Sequence, residues 1–150
     1  MCIRDRSGTG VSLKNYSGAT IEVASGATMS ANGNVYNNTI SASSPSIEVD
    51  GQLNVGGNWI NNGTAGTSLS GTTGVIQFNG SSGNQNIGGT TATTFEGISI
   101  NNSSGVTLTQ NQNIATTLAF TAGMITTGAV SYTHLSRRTF DRPISFRRQP

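Results

Sequence analysis

The chain has 150 residues, 33% hydrophobic and only 9% charged, with 20 glycines, one cysteine and a formal charge of +2. No apolar run approaches the ~18 residues of a membrane span, and one cysteine cannot make a disulfide framework. The positive charge points to an anionic partner only until it is located. Of the eight basic residues, Lys14 alone lies between positions 7 and 129, where Glu22, Glu48, Asp50 and Glu96 set the balance at −3.

In chain order, a Gly-rich opening carries the apolar pair Val11 and Leu13. Two related triplets follow, Ile21-Glu22-Val23 and Ile47-Glu48-Val49, each succeeded by a similar segment: GNVYNN at 33–38 and GNWINN at 57–62. Leu53-Asn54-Val55, Ile76-Gln77-Phe78, Ile98-Ser99-Ile100 and Leu118-Ala119-Phe120 repeat the same idea at steps of 23, 22 and 20 residues. An apolar residue, a small or polar one and a second apolar one make a short strand with two side chains facing in. Recurrence near twenty residues is the mark of one coil stacked on the next.

The predicted fold is therefore all-β: a single-stranded parallel β-helix, or β-solenoid, of about five or six coils over residues 7–129, truncated at both ends. Leu53, Ile76, Ile98 and Leu118 should form one column through successive coils. Ile60, Ile87, Val106 with Leu108, and Ile125 should form a second. Asn32-Gly33, Asn62-Gly63, Asn79-Gly80, Gly88-Gly89 and Ser104-Gly105 read as turns suited to positive φ. Asparagines can stack in ladders between coils. An antiparallel sheet built on Asn-Gly hairpins competes, but the repeat is longer than a hairpin needs. No window has helical spacing, so helix should be nearly absent.

The flanks have a different character. MCIRDR at 1–6 can be written ATG TGT ATA AGA GAC AGR, which resembles the mosaic-end adapter used in DNA sequencing. VSYTHL at 130–135 can be written GTC TCT TAT ACA CAT CTN, which resembles its reverse complement. Residues 1–6 are accordingly read as adapter-derived, and 130–150 as an adapter-derived, chimeric tail expected to be disordered. Neither belongs in fold reasoning. Cys2 and His134 lie in these flanks, so residues 7–129 offer no Cys or His metal ligand.

The segments GNWINNGT, GVIQFNGSSGNQNIGGTTATTFEGISINNSSGVTLTQN and TLAFTAGMITTG resemble the repeats of very large bacterial secreted and cell-surface proteins. Those are Asn-, Gly- and Thr-rich β-solenoid proteins, many exported by the type nine secretion route, similar in architecture to filamentous haemagglutinin-type adhesins. The resemblance covers 46–128 closely and 11–45 loosely. It implies a stalk or adhesive region at the cell surface or outside the cell, with carbohydrate or surface proteins as partners. Its motifs carry no catalytic signature and transfer no functional residue; no catalytic residue, cofactor, metal or nucleic-acid partner is expected.

Four candidate sites remain. Glu22 and Glu48, stacked one coil apart, would stand near the ~5–5.5 Å of a retaining glycosidase pair, but two solvated charges that blunt aggregation are the plainer reading. A polysaccharide-degrading enzyme whose catalytic coils lie outside this span is the alternative from another class; a cluster of Asp, Arg and Lys would favour it. Thr91, Thr93, Thr107, Thr109, Thr116 and Thr117 suggest an ice-binding array without keeping one step. Trp59 and Tyr36 occupy neighbouring places in the two GN-x-x-NN segments and are the candidate ligand contacts, for sugar stacking; the competing reading has them plugging a corner of the core. The Asn-x-Thr sequences at 37–39 and 62–64 are read as turns. Open coil ends would permit edge-to-edge self-association.

Overall fold

Alternation of inward apolar and outward polar residues produces fourteen short strands in the computed structural model, which describes residues 12–16, 19–38, 45–63, 69–70 and 73–128. They are β1 (Leu13–Tyr16), β2 (Thr20–Val23), β3 (Thr28–Ala31), β4 (Val35–Asn38), β5 (Ser46–Val49), β6 (Gln52–Val55), β7 (Trp59–Asn62), β8 (Leu69–Ser70), β9 (Val75–Phe78), β10 (Gln85–Gly89), β11 (Thr94–Asn101), β12 (Val106–Leu108), β13 (Asn113–Ala122) and β14 (Ile125–Thr127). Among the described residues there is no helix.

Every strand pairing is parallel, and the strands sort into three sheets. One is six-stranded, in the order β1-β4-β7-β10-β12-β14; the second runs β13-β11-β9-β6-β3; the third runs β2-β5-β8. Sequence neighbours thus lie in different sheets, and each strand pairs with the equivalent strand one coil away. This is a β-solenoid, and the hairpin alternative is excluded. About four turns separate β3 from β13, fewer than the five or six coils expected. Ahead of β3 the described chain supplies only β1 and β2, not a complete coil.

Register confirms the first column: Leu53 pairs with Ile76, Ile76 with Ile98 and Ile98 with Leu118. Met29 extends it below Leu53. A parallel column beside it runs Ala31, Val55, Phe78, Ile100, Phe120. Ile21 pairs with Ile47, as expected. The second predicted column needs correcting. Ile87 stacks on Trp59 rather than on Ile60, and continues to Leu108 and Thr127. Val106 and Ile125 align instead with Gln85. Ile60 sits one residue along and therefore on the opposite face.

These inward positions make one continuous core, with Phe95 packed between Trp59 and Phe78 at ring-centroid distances of 5.4 and 6.4 Å. Tilted and edge-on contacts at such distances are the favoured aromatic geometries. Coil shape changes along the stack. The eight-residue β11 lies beside both β8 and β9, so one long strand replaces two short ones. Register shifts between β11 and β13 absorb the extra residues of β13 as bulges.

Turn chemistry follows the prediction in part. Gly105 has φ +83, which a side chain tolerates poorly. Gly80 does not have positive φ; its small size serves packing, since a Cβ there would stand 2.6 Å from the Gly56 carbonyl oxygen. Val11 and the segments 1–6 and 130–150 lie outside the described residues.

Candidate ligand-binding face

Inside the six-stranded sheet, period-two alternation carries polar residues into the core. Asn15, Asn37 and Asn61 are in register on β1, β4 and β7, and all three are buried. Their amides form the ladder that stacking predicts. Asn15 Nδ2 donates to Asn37 Oδ1 at 3.2 Å, and Asn37 Nδ2 donates to Asn61 Oδ1 at 3.4 Å. Asn61 Nδ2 donates to Thr93 Oγ1 at 3.2 Å, where Trp59 Nε1 also donates at 3.0 Å. The ladder lies within strands, not at turns as the asparagine pairs suggested. A second polar plug fills another corner. Gln85 accepts from the Gly80 amide and from Asn102 Nδ2, and donates to the carbonyls of Val55 and Gly57.

The same alternation divides the two predicted contact residues. Val35 pairs with Trp59, and Tyr36 pairs with Ile60. Trp59 therefore faces inward, is 2% exposed and plugs the core. Tyr36 faces outward and is half-buried. The two rings do not share a face, so they do not form a stacking pair.

Tyr36 instead belongs to an outward column of Lys14, Tyr36, Ile60 and Gly88. Lys14 Nζ stands 5.7 Å from the centre of the Tyr36 ring, within cation–π range. Tyr36 Oη accepts a hydrogen bond from Asn34 Nδ2 at 2.8 Å, and Asn34 Oδ1 accepts from the Asn58 amide at 2.8 Å. The ring is thereby held from both ends. A second outward column beside it carries Tyr16, Asn38 and Asn62. Asn62 Nδ2 donates to Asn38 Oδ1 at 3.0 Å, and Tyr16 is 37% exposed. Two tyrosines, one isoleucine, one cation and a short amide ladder thus lie on one sheet face. Rings and an aliphatic side chain suit the C–H faces of sugars, and the amides suit their hydroxyls. Lys14, Tyr16, Asn38, Ile60 and Asn62 were missed as site residues. The alignment of GNVYNN with GNWINN carried the signal for Asn38, Ile60 and Asn62, while Lys14 and Tyr16 lie in the LKNY of β1, outside both segments.

The other candidates fall out differently. Glu22 and Glu48 are in register, as predicted, with Glu22 exposed and Glu48 half-buried. Thr107 and Thr126 are in register, with their hydroxyls 2.8 Å apart, while Thr93 is buried in the amide network. The threonines named in the sequence therefore do not share one array. The Asn-x-Thr asparagines lie in β4 and β7, not in turns. Among the described residues no group of three or more His, Cys, Asp or Glu is placed to hold a metal ion. Among the same residues no helix is long and apolar enough to cross a membrane.

Comparison with protein-family models, with curated proteins and with solved structures gave no match. The class that the fold defines is the parallel β-solenoid, with a tyrosine- and amide-bearing outer face.

Proposed function

We propose that this chain is a structural repeat region, a stalk with an adhesive face, of a secreted or cell-surface bacterial protein. Its ligand on that face is carbohydrate, with a surface protein as the other partner class. The observation that carries the reading is the pinned Tyr36 ring, set in register with Lys14 and Ile60 beside the Tyr16–Asn38–Asn62 column. Such a face needs no chemistry beyond contact, which agrees with the adhesin-like resemblance of the repeats. Parallel stacking supports the stalk role, because each coil adds about 4.8 Å of length while leaning only on its neighbours.

The test is binding of the full chain to soluble polysaccharides of distinct chemistry, such as a β-glucan, a xylan and a polygalacturonate. Tyr36→Ala should weaken binding about 2- to 13-fold, the worth of one aromatic contact of about 0.5–1.5 kcal/mol, with an unchanged circular dichroism spectrum. Binding that is absent from the whole panel, or indifferent to Tyr36 and Tyr16, would refute the carbohydrate face.

A further inference from the structure

The outer face of the six-stranded sheet has a hydrogen-bonding polarity, and the backbone sets it. Asn34 and Asn58 stand one position before the paired Val35 and Trp59, on the outward side. Asn34 Oδ1 accepts from the Asn58 amide at 2.8 Å, and Asn58 Oδ1 accepts from the Asn86 amide at 2.8 Å. Asn62 Oδ1 accepts from the Thr90 amide at 3.0 Å, and Asn38 Oδ1 accepts from Asn62 Nδ2 at 3.0 Å. A backbone N–H can only donate, so Asn34, Asn58 and Asn62 each have one orientation, and Asn62 then fixes Asn38. All four carbonyl oxygens are engaged within the protein. What the amides offer outward is N–H. Asn38 and Asn58 have both, since their Nδ2 atoms meet no acceptor among the described residues, while Asn34 and Asn62 each spend one. Tyr36 follows the same rule: its Oη accepts from Asn34 Nδ2, so its own O–H is left to donate.

Charge has the same sense. Lys14, exposed in the Tyr36 column, is the one cation among the described residues. None of the six strands of this sheet carries Asp or Glu. The acids of the described chain lie elsewhere: Glu22 and Glu48 on the three-stranded sheet, Asp50 just after β5, and Glu96 on β11 of the five-stranded sheet. A span that is negative as a whole thus turns its donors and its one positive charge to a single face. A sugar hydroxyl both donates and accepts, and needs no such bias. A carboxylate only accepts, and a bond from N–H or O–H to it is stronger than one to a neutral oxygen. A densely sulfated chain would call for a cluster of cations, and this face has one.

From these observations we infer that the ligand of this face is an acidic polysaccharide of the polyuronate type. Its carboxylates are received by Lys14, the Tyr36 hydroxyl and the amides of Asn38 and Asn58, with sugar rings against Tyr36 and Ile60. The inference rests on the carbohydrate reading above and narrows it to one substrate class.

The experiment is calorimetric titration of the full chain with polygalacturonate, with the same polymer fully methyl-esterified and with a neutral β-glucan, at low and high salt. Esterification keeps the sugar backbone and removes the charge. The expected preference for the acid form is about tenfold at low salt and smaller at high salt. Lys14→Gln should weaken binding of the acid form about 2- to 5-fold, the worth of one exposed ion pair, and leave the ester unaffected. Asn58→Asp keeps an acceptor for the Asn86 amide but replaces the outward donor with a carboxylate oxygen; it should also weaken the acid form and spare the ester. Circular dichroism should be unchanged in both variants, and should Asn58→Asp fail to fold, Lys14→Gln decides alone. Arg4, Arg6 and the five arginines of 137–148 are a second source of attraction for any polyanion. An acid preference that survives both substitutions would belong to them and overturn the inference. Equal affinity for acid and ester overturns it while the carbohydrate face stands. Binding to none of the three polymers removes the carbohydrate face itself, and this inference with it.

Discussion

Truncating the asparagines one at a time should give unequal costs, and the inequality can be worked out from their partners. Asn61→Ala removes three hydrogen bonds: acceptance from Asn37 at 3.4 Å, donation to Thr93 at 3.2 Å and acceptance from the Gly63 amide at 3.1 Å. Gly63 is buried, so its N–H is left without the Asn61 acceptor. With about 0.5–1.5 kcal/mol for each of the other two bonds and about 1–3 kcal/mol for the orphaned buried donor, the expected cost is about 2–6 kcal/mol. Asn37→Ala also breaks the ladder and removes the long 3.5 Å bond from its Nδ2 to the Pro45 carbonyl, but its two ladder neighbours keep other partners. Asn15 Nδ2 retains the Ser46 carbonyl at 2.7 Å, and Asn61 Oδ1 retains the Gly63 amide. That cost should be about 1–2 kcal/mol. Asn15→Ala removes two bonds, to the Ser46 carbonyl and to Asn37 Oδ1, but also removes its own unsatisfied Oδ1, and should cost no more than Asn37→Ala. Asn37→Asp, equal in volume, should cost more than Asn37→Ala, because a buried carboxylate would face the acceptor Asn61 Oδ1. Urea unfolding followed by Trp59 fluorescence is the assay, since the only tryptophan is buried beside Phe95 and Thr93. Equal costs at the three positions, or Asn61→Ala below about 0.5 kcal/mol, would refute the ladder as drawn.

Two further outcomes follow from the packing. Leu53 and Leu118 occupy one column, but their exposures are 0% and 44%. Leu53→Ala should therefore cost about 2–5 kcal/mol in urea unfolding and Leu118→Ala under about 1.5 kcal/mol in dilute monomer; a reversed order would remove the stacked core. Gly89 has φ +124, and a Cβ there would stand 2.1 Å from the Asn61 carbonyl oxygen. Gly89→Ala should lower the thermal midpoint by more than Gly26→Ala, whose Cβ would meet nothing within 4 Å; equal shifts in a melting experiment would contradict this.

Much of the coil architecture was legible because Ile-Gln-Phe and Ile-Ser-Ile put two large apolar residues on one strand face inside polar text. Ile21 with Ile47, and Leu53 through Leu118, stack in the register read from their spacing. The strand β3 was not legible, because Thr-Met-Ser-Ala offers a single large apolar residue. The six-stranded sheet was misread by one position for a physical reason. Trp59 and Ile60 are both apolar, so parity along the strand must come from their neighbours. Asn61, which shares the inward face of Trp59, is polar and so did not mark that face as the core side. Burial of Asn61 in a satisfied ladder breaks the usual rule of apolar inside and polar outside. That one-residue slip exchanged Trp59 for Ile60 and hid the outward column of Tyr36. Fusion of two strands into β11 and β13 depends on how coils narrow, which no local pattern in 94–101 or 113–122 announces.

Parallel registration of successive coils is the central claim, and spin-label distances test it most directly. Ser30, Asn54, Gln77 and Ser99 hold one outward column on β3, β6, β9 and β11. In a chain with Cys2→Ser, labels would be placed at position 30 and, in turn, at 54, 77 and 99. The solenoid predicts separations that rise in equal increments of about 4.8 Å. Unequal increments, or a label at 99 closer to 30 than the label at 77, would contradict it.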